Sequence, residues 1–210
     1  VCSSDLLGQH DGQDFSSADV KFTLTEVLAK LHPRAAPVFK NVGVEVDAPD
    51  ASTVVVRLQK PYAPFLSQMT VFDAPILPRH LYEGTSIGTN PANLKPVGTG
   101  PFKFGEWKRG ASIRLVRNDN YWDPEKPYLQ EIIFQIIPQG ANRVPALQTG
   151  EIDELLDFYT PKPEIPRILA DKSLAPRRGV NIPAIWFMMF NINSSVFANK
   201  QARHALAFAI

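Results

Sequence analysis

Glu151, Asp153, Glu154 and Asp157 form the densest cluster of potential proton donors, acceptors or cation ligands in this chain. Carboxylates so close could share a proton or hold a cation. They stand at a glycine-led entry to an expected strand, where acidic side chains satisfy turn amides and solvate one face. His10, His32, His80 and His204 are scattered over unrelated elements and read as ordinary surface or capping groups. Gly98-Thr99-Gly100 begins like a dinucleotide fingerprint. Lys103 takes the place of its third glycine, and a strand follows where a helix is required. There is no G-x-S-x-G, P-loop, H-E-x-x-H or paired C-x-x-C. The expectation is no catalytic residue, no metal centre and no cofactor.

Aromatic side chains are the remaining candidates for ligand contact. Tyr121 and Trp122 follow an expected hairpin, where they either fill a core or touch a ligand. Phe158 and Tyr159 lie at the C-terminal end of an expected strand, where open α/β sheets place their ligands. Residues 186–190, WFMMF, alternate in direction, so either Trp186, Met188 and Phe190 or Phe187 and Met189 line a cleft.

The elements that must position these groups form an α/β mixture. Asp11-Gly12 is a turn, and Ser16 with Asp19 is a capping box that opens a helix through Val20, Leu24, Leu28 and Leu31, ended by His32-Pro33. Val42, Val44 and Val46 alternate as a strand whose partner covers residues 53–58, and a short helix is expected at 65–69. Gly98, Gly100 and Pro101 make a sharp, pre-set entry into a hairpin. Its strands carry Phe102, Phe104, Ile113 and Leu115 on one face and turn at Lys108-Arg109-Gly110. Residues 131–137 are a nearly continuous apolar strand of a sheet covered on both faces. Residues 143–149 form a helix with Asn142 at its cap, Pro145 in its first turn and Gly150 as its stop. Strands at 152–158, 174–180 and 185–191 and a helix at 164–170 complete a βα-type lobe.

Composition narrows the class. With 210 residues, 44% of them hydrophobic, the chain can bury one or two cores. A net charge of +1 gives no electrostatic reason to expect nucleic acid or an anionic membrane as partner. No apolar run is long enough to span a bilayer. The 19 prolines exceed the usual share of about 5% and fit a secreted, loop-rich protein. A single cysteine, Cys2, leaves no internal disulfide.

Five stretches, HDGQDFSSADVKFTL from His10, ILPRHLYEG from Ile76, residues 96–122, ALQTGEID from Ala146 and FNINSSVFANKQARHALAFAI from Phe190, occur in this order. Together they resemble the extracytoplasmic solute-binding proteins of peptide- and nickel-type ABC importers. The resemblance implies a periplasmic-binding-protein fold of two lobes joined by a hinge. It assigns residues 10–95 to an accessory subdomain, 96–190 to lobe one and 191–210 to the start of lobe two. Residues 1–9 depart from the family pattern, and Val1 to Leu7 read as foreign sequence. Family members are more than twice this long, begin with a secretion signal and continue past the helix that opens at Ala198, so an internal fragment is expected. By the same resemblance the strand through Trp186 and Met188 touches the solute; Phe158, Tyr159, Tyr121 and Trp122 are the further candidate contacts from their place in the expected elements. The implied function is capture of peptides or a related solute by a monomer in the periplasm, or anchored outside the membrane, and delivery to ABC permease subunits. The competing classes are a secreted α/β hydrolase fragment and a non-transport sensor on the same fold.

Overall fold

The computed structural model describes residues 8–71, 73–156, 159–176 and 189–209. They fall into two compact units, Val1–Pro138 and Gln139–Ile210.

The first unit begins with a turn at Gly12, whose φ of 88° only glycine adopts readily; Gly12 N–H bonds Gln9 O, and Gln9 N–H bonds Gln13 O. Helix α1 (Ser17–Phe22) opens as the capping box requires: the Asp19 carboxylate accepts from Ser16 N–H at 2.8 Å and from its hydroxyl at 3.2 Å. The α-helix then stops short of the expected Leu31. Residues Thr23–Leu28 widen into a π-helical segment, with Ala29 N–H reaching Leu24 O and His32 N–H reaching Val27 O. The Thr25 hydroxyl donates to Lys21 O and so competes for a carbonyl of the helix, while the fully buried Thr23 hydroxyl accepts from Leu77 N–H at 2.9 Å and ties the segment to a distant stretch. The wider turn takes Leu31 off the apolar stripe, and it is 59% exposed.

A helix that the pattern hides follows at once. Helix α2 (Ala35–Val42) carries Pro37 in its first turn, where no N–H is needed, and the His32 ring accepts from Ala35 N–H at 3.0 Å. Val42 is therefore the last residue of a helix and not the first of a strand. Gly43, at φ 69°, closes α2, and an added Cβ there would lie 2.6 Å from Gln59 Oε1. Strands β1 (Val44–Asp47) and β2 (Val55–Leu58) pair antiparallel, with Val44 opposite Leu58 and Val46 opposite Val56. The core of this part is Leu24, Leu28, Phe39 and Ala74, with Val20, Val46, Val56, Phe65 and Met69 against it. The expected helix at 65–69 is a single 3-10 turn, Leu66–Gln68. Helix α3 (Arg79–Tyr82) completes it.

Strands β3 (Phe102–Lys108), β4 (Ser112–Arg117) and β5 (Glu131–Gln135) form an antiparallel meander in the order β3-β4-β5. The turn of the first hairpin closes at Gly110, φ 74°. A bulge at Gly105 inserts one residue between Phe104 and Glu106, so Phe104 and Trp107 share a face although three positions apart. Glycine leaves room there: a Cβ would sit 3.0 Å from Arg114 O and 3.2 Å from Val116 Cγ1, so its neighbours would have to give by a few tenths of an ångström. The resulting face is apolar, with rows Trp107–Ile113–Phe134 and Phe104–Leu115–Ile132. The opposite face carries Glu106, Arg114 and Glu131, with Arg114 and Glu131 ion-paired at 3.3 Å. Among the described residues β5 pairs only with β4 and Ile133 and Phe134 are about half exposed, so the expected cover on both faces is not seen there. An apolar run fixes neither strand direction nor cover, which come from the connection and its neighbours.

In the second unit, helix α4 (Arg143–Gln148) buries Val144 and Ala146 and ends at Gly150, φ 76°, with Glu151 N–H bonded to Ala146 O. Asn142 precedes it without a side-chain cap bond, as the last residue of a 3-10 turn, Gly140–Asn142. Helix α5 (Ile165–Ala170) follows a 3-10 turn, Lys162–Glu164. Helix α6 (Lys200–Phe208) is capped by Asn199, whose side chain accepts from Gln201 N–H at 2.8 Å, two residues beyond the expected start. The expected strands at 152–158, 174–180 and 185–191 do not form in their described parts. Residues 152–156 lack a partner strand among the described residues, and Leu174 N–H turns back to Asp171 O. Residues 157–158, 177–180 and 185–188 of those stretches lie outside the described residues, as do Val1 to Leu7.

Candidate functional site

Of the expected ligand contacts, Trp186, Met188 and Phe158 lie outside the described residues. Tyr121 and Trp122 belong to the first unit and Tyr159 to the second. After β4, Asn118 organises a turn: its Nδ2 donates to Gly100 O at 3.0 Å, its Oδ1 accepts from Asn120 N–H, and its carbonyl accepts from Tyr121 N–H. The turn delivers Tyr121 and Trp122 as a tilted pair, ring centroids 5.3 Å apart, with Trp122 half exposed. Such a pair offers a flat apolar surface with polar edges, suited to contact and not to chemistry. Tyr159 is likewise half exposed. The Arg143 guanidinium lies 5.8 Å from its ring centroid and donates to its carbonyl at 3.0 Å, which gives the second unit an aromatic face backed by a cation.

The Gly98-Gly100 segment has a different role from the one its composition suggests. Neither glycine has a positive φ, and nothing stands within 4 Å of a Cβ built on Gly100. His10 sets the turn. Its backbone N–H donates to Gly98 O at 2.9 Å, its Nδ1 accepts from Gly98 N–H at 3.2 Å, and its Nε2 donates to Gly100 O at 3.0 Å. That bonding pattern requires the neutral Nε2–H tautomer. With the Asn118 amide on the same carbonyl, the segment is a structural knot tied by two side chains.

Two concavities lie within the first unit. One, about 250 Å³, is lined by Asp14, Ser16, Asp19, Arg79, His80 and Glu83. Most of its ionisable groups are already engaged: Arg79 Nε pairs with Glu83 at 2.9 Å, Asp19 Oδ1 accepts from Arg79 N–H, and His80 Nε2 meets Asp11 Oδ2 at 2.7 Å. Partial burial pushes the Asp11 carboxyl up, but hydrogen bonds from His80 and Gln13 N–H, with the His80 charge, outweigh it and hold it below the usual carboxylate range. The other, about 260 Å³, runs between residues 69–78 and 97–99 with Gln9 and Phe15 at its side, and its wall is mostly apolar. Sequence reasoning missed this groove, because no local pattern joins four distant segments. Among the described residues, no group of three or more His, Cys, Asp or Glu is placed to hold a metal ion. Glu151, Asp153 and Glu154 are exposed, and Asp157 lies outside the described residues.

Residues 10–210 match the family described as bacterial extracellular solute-binding proteins, family 5 Middle. The oligopeptide-binding protein AppA of Bacillus subtilis is 29% identical over 96% of this chain and 37% of its own length. The peptide transport periplasmic protein SapA of Salmonella typhimurium is 31% identical over 91% of this chain and 37% of its own. Among solved structures, NikZ of Campylobacter jejuni, in complex with Ni(L-His), superposes with a TM-score of 0.73 at 25% identity, covering 97% of this chain and 40% of that one. The chain thus spans less than two fifths of the length of the relatives AppA and SapA. The proteins it matches are binding proteins rather than enzymes, and no described helix is long and apolar enough to cross a membrane.

Proposed function

The chain belongs to the bacterial extracellular solute-binding proteins of family 5, and on that premise we propose that the whole protein is the solute-capturing component of an ABC importer. It takes peptides or a related solute outside the cytoplasmic membrane and delivers it to permease subunits, acting as a monomer. The observation that carries this reading is the family match over residues 10–210, with the likeness to NikZ over nearly the whole chain in support. The binding proteins among its relatives favour this reading over a hydrolase.

The mechanism is closure of two lobes. A solute held between them shifts the open–closed equilibrium by its differential affinity for the closed form, which the permease recognises. Residues 10–95 form the accessory subdomain, 96–190 lobe one and 191–210 the start of lobe two. In this reading Trp186 and Met188 contact the solute, with Phe158, Tyr159, Tyr121 and Trp122 as further contacts. The stretch of 210 residues holds part of such a cleft and binds solute poorly without the rest.

Calorimetry with a mixed peptide library on the full-length protein tests this. Trp186→Ala should weaken binding by about 1–3 kcal/mol, as loss of an interface anchor does, while the melting temperature falls little. Unchanged affinity with a large drop in melting temperature would remove Trp186 from the cleft. Failure of the full-length protein to bind any library member would refute solute capture from this class.

A further inference from the structure

Among the described residues, the hydrogen bonds between residues 8–95 and residues 96–138 are all made by His10. Its backbone N–H holds Gly98 O, its ring Nδ1 accepts from Gly98 N–H, 88 positions along the chain, and its Nε2–H holds Gly100 O. Near this seam the groove of about 260 Å³ runs between residues 69–78 and 97–99. One imidazole thus pins the start of the helical part to the segment that leads into β3. The charge of that ring is set by its partners. Gly100 O can only accept and Gly98 N–H can only donate, so Nε2 carries the proton and Nδ1 a lone pair. An imidazolium has a proton on both nitrogens, and its Nδ1–H would meet Gly98 N–H donor to donor.

We propose that His10 is a proton-operated latch: protonation of its ring breaks the bond from Gly98 N–H and loosens the seam between residues 8–95 and the segment that leads into β3. Histidine changes charge between about pH 5 and 8, so the latch holds at the upper end of that range and slackens at the lower end. Two bonds survive, His10 N–H to Gly98 O and Nε2–H to Gly100 O, and the Asn118 amide also keeps Gly100 O. The change is therefore a loosened turn and not a separation. None of the charged groups around the ring accepts from Nδ1, whose place is taken by Gly98 N–H. On the same turn Asp11 is bound to His80 Nε2 of α3 at 2.7 Å, and Asp14 is exposed. Residues 97–101 carry no charge, with Lys95 and Lys103 flanking them in the sequence. Beyond β4, Asn118 is uncharged, and Arg117 is turned to Asp119 at 2.9 Å and to Pro127 O. The His32 ring also accepts a backbone N–H, from Ala35, but holds only the start of α2.

Amide exchange at Gly98, read by NMR on the ¹⁵N-labelled full-length protein and normalised to intrinsic exchange, tests the latch. Protection should be about fivefold lower at about pH 5.5 than at about pH 7.5, the worth of one hydrogen bond. The amide of Gly43, bonded to Phe39 O, is the internal reference and should keep its protection. In His10→Asn the side-chain oxygen can stand in for Nδ1 as an acceptor that does not titrate, while Asn118 keeps Gly100 O, so the fall should vanish. His80→Asn should leave the fall intact. Equal Gly98 protection at the two pH values, an equal fall at Gly43, a fall retained in His10→Asn, or one abolished by His80→Asn would each overturn the proposal. The unsubstituted protein gives a further test if a variant fails to fold. There the Gly98 amide shift should move with the His10 ring nitrogen resonances at one shared midpoint, and separate midpoints would refute the latch.

Discussion

Replacing His10 and Asn118 by alanine, singly and together, should show that two side chains hold one carbonyl. His10→Ala leaves Gly98 N–H without its Nδ1 acceptor, while Gly100 O keeps the Asn118 amide. The site is partly buried, so the loss is about 1 kcal/mol, the low end for an orphaned donor. Asn118, 3% exposed, also accepts from Asn120 N–H, and its replacement should cost about 1–2 kcal/mol while Gly100 O keeps His10. In the double variant Gly100 O has no side-chain donor left. The combined loss should exceed the sum by about 0.5–1 kcal/mol, the coupling expected of residues sharing a partner. Equilibrium urea unfolding of the four proteins, with the slope checked for constancy, measures it. Losses that add to within about 0.3 kcal/mol would mean that the two bonds do not share an acceptor in solution.

Gly43→Ala should destabilise by about 1 kcal/mol or more, because φ is 69° and Gln59 must move, whereas Gly100→Ala should stay within about 0.5 kcal/mol; thermal melts of both would expose an error in either backbone assignment. The Asp11 carboxyl has a folded pKa below its unfolded value of about 3.9, so its contribution is present above that pH and is lost as pH falls through the folded pKa. Asp11→Asn should lower stability at pH 7 and flatten its decline below about pH 4 in acid titrations followed by circular dichroism; an unchanged acid limb would mean that the His80 contact contributes nothing.

Local signals were legible where the chemistry is local. Ser16 and Asp19 announce a helix start, Gly110 a hairpin and Gly150 a helix stop, since each depends on a few neighbouring bonds. Helix α2 escaped because the cap of its first turn is an imidazole, and because Val42 continues the alternation of Val44 and Val46. The bond from Leu77 N–H to the Thr23 hydroxyl joins residues more than fifty apart, which no window reveals. The aromatic pair at Tyr121 and Trp122 was visible as a pair. The cation behind Tyr159 was not, because Arg143 reaches it across a loop. The groove beside Gln9 escaped for the same reason, and so did the part of His10 in setting the 98–100 turn: both are tertiary facts.

Strand β5 bears on how this stretch behaves in a tube. Among the described residues its outer edge has no partner strand, and its sequence EIIFQ combines high strand propensity with half-exposed Ile133 and Phe134. Expressed by itself at high concentration, the 210-residue stretch should self-associate through edge-to-edge strand addition. Glu131 at one end of β5 provides only a single gatekeeping charge against it. Ile133→Lys, on the face that already carries Arg114 and Glu131, would interrupt that template while leaving the apolar rows of the other face intact.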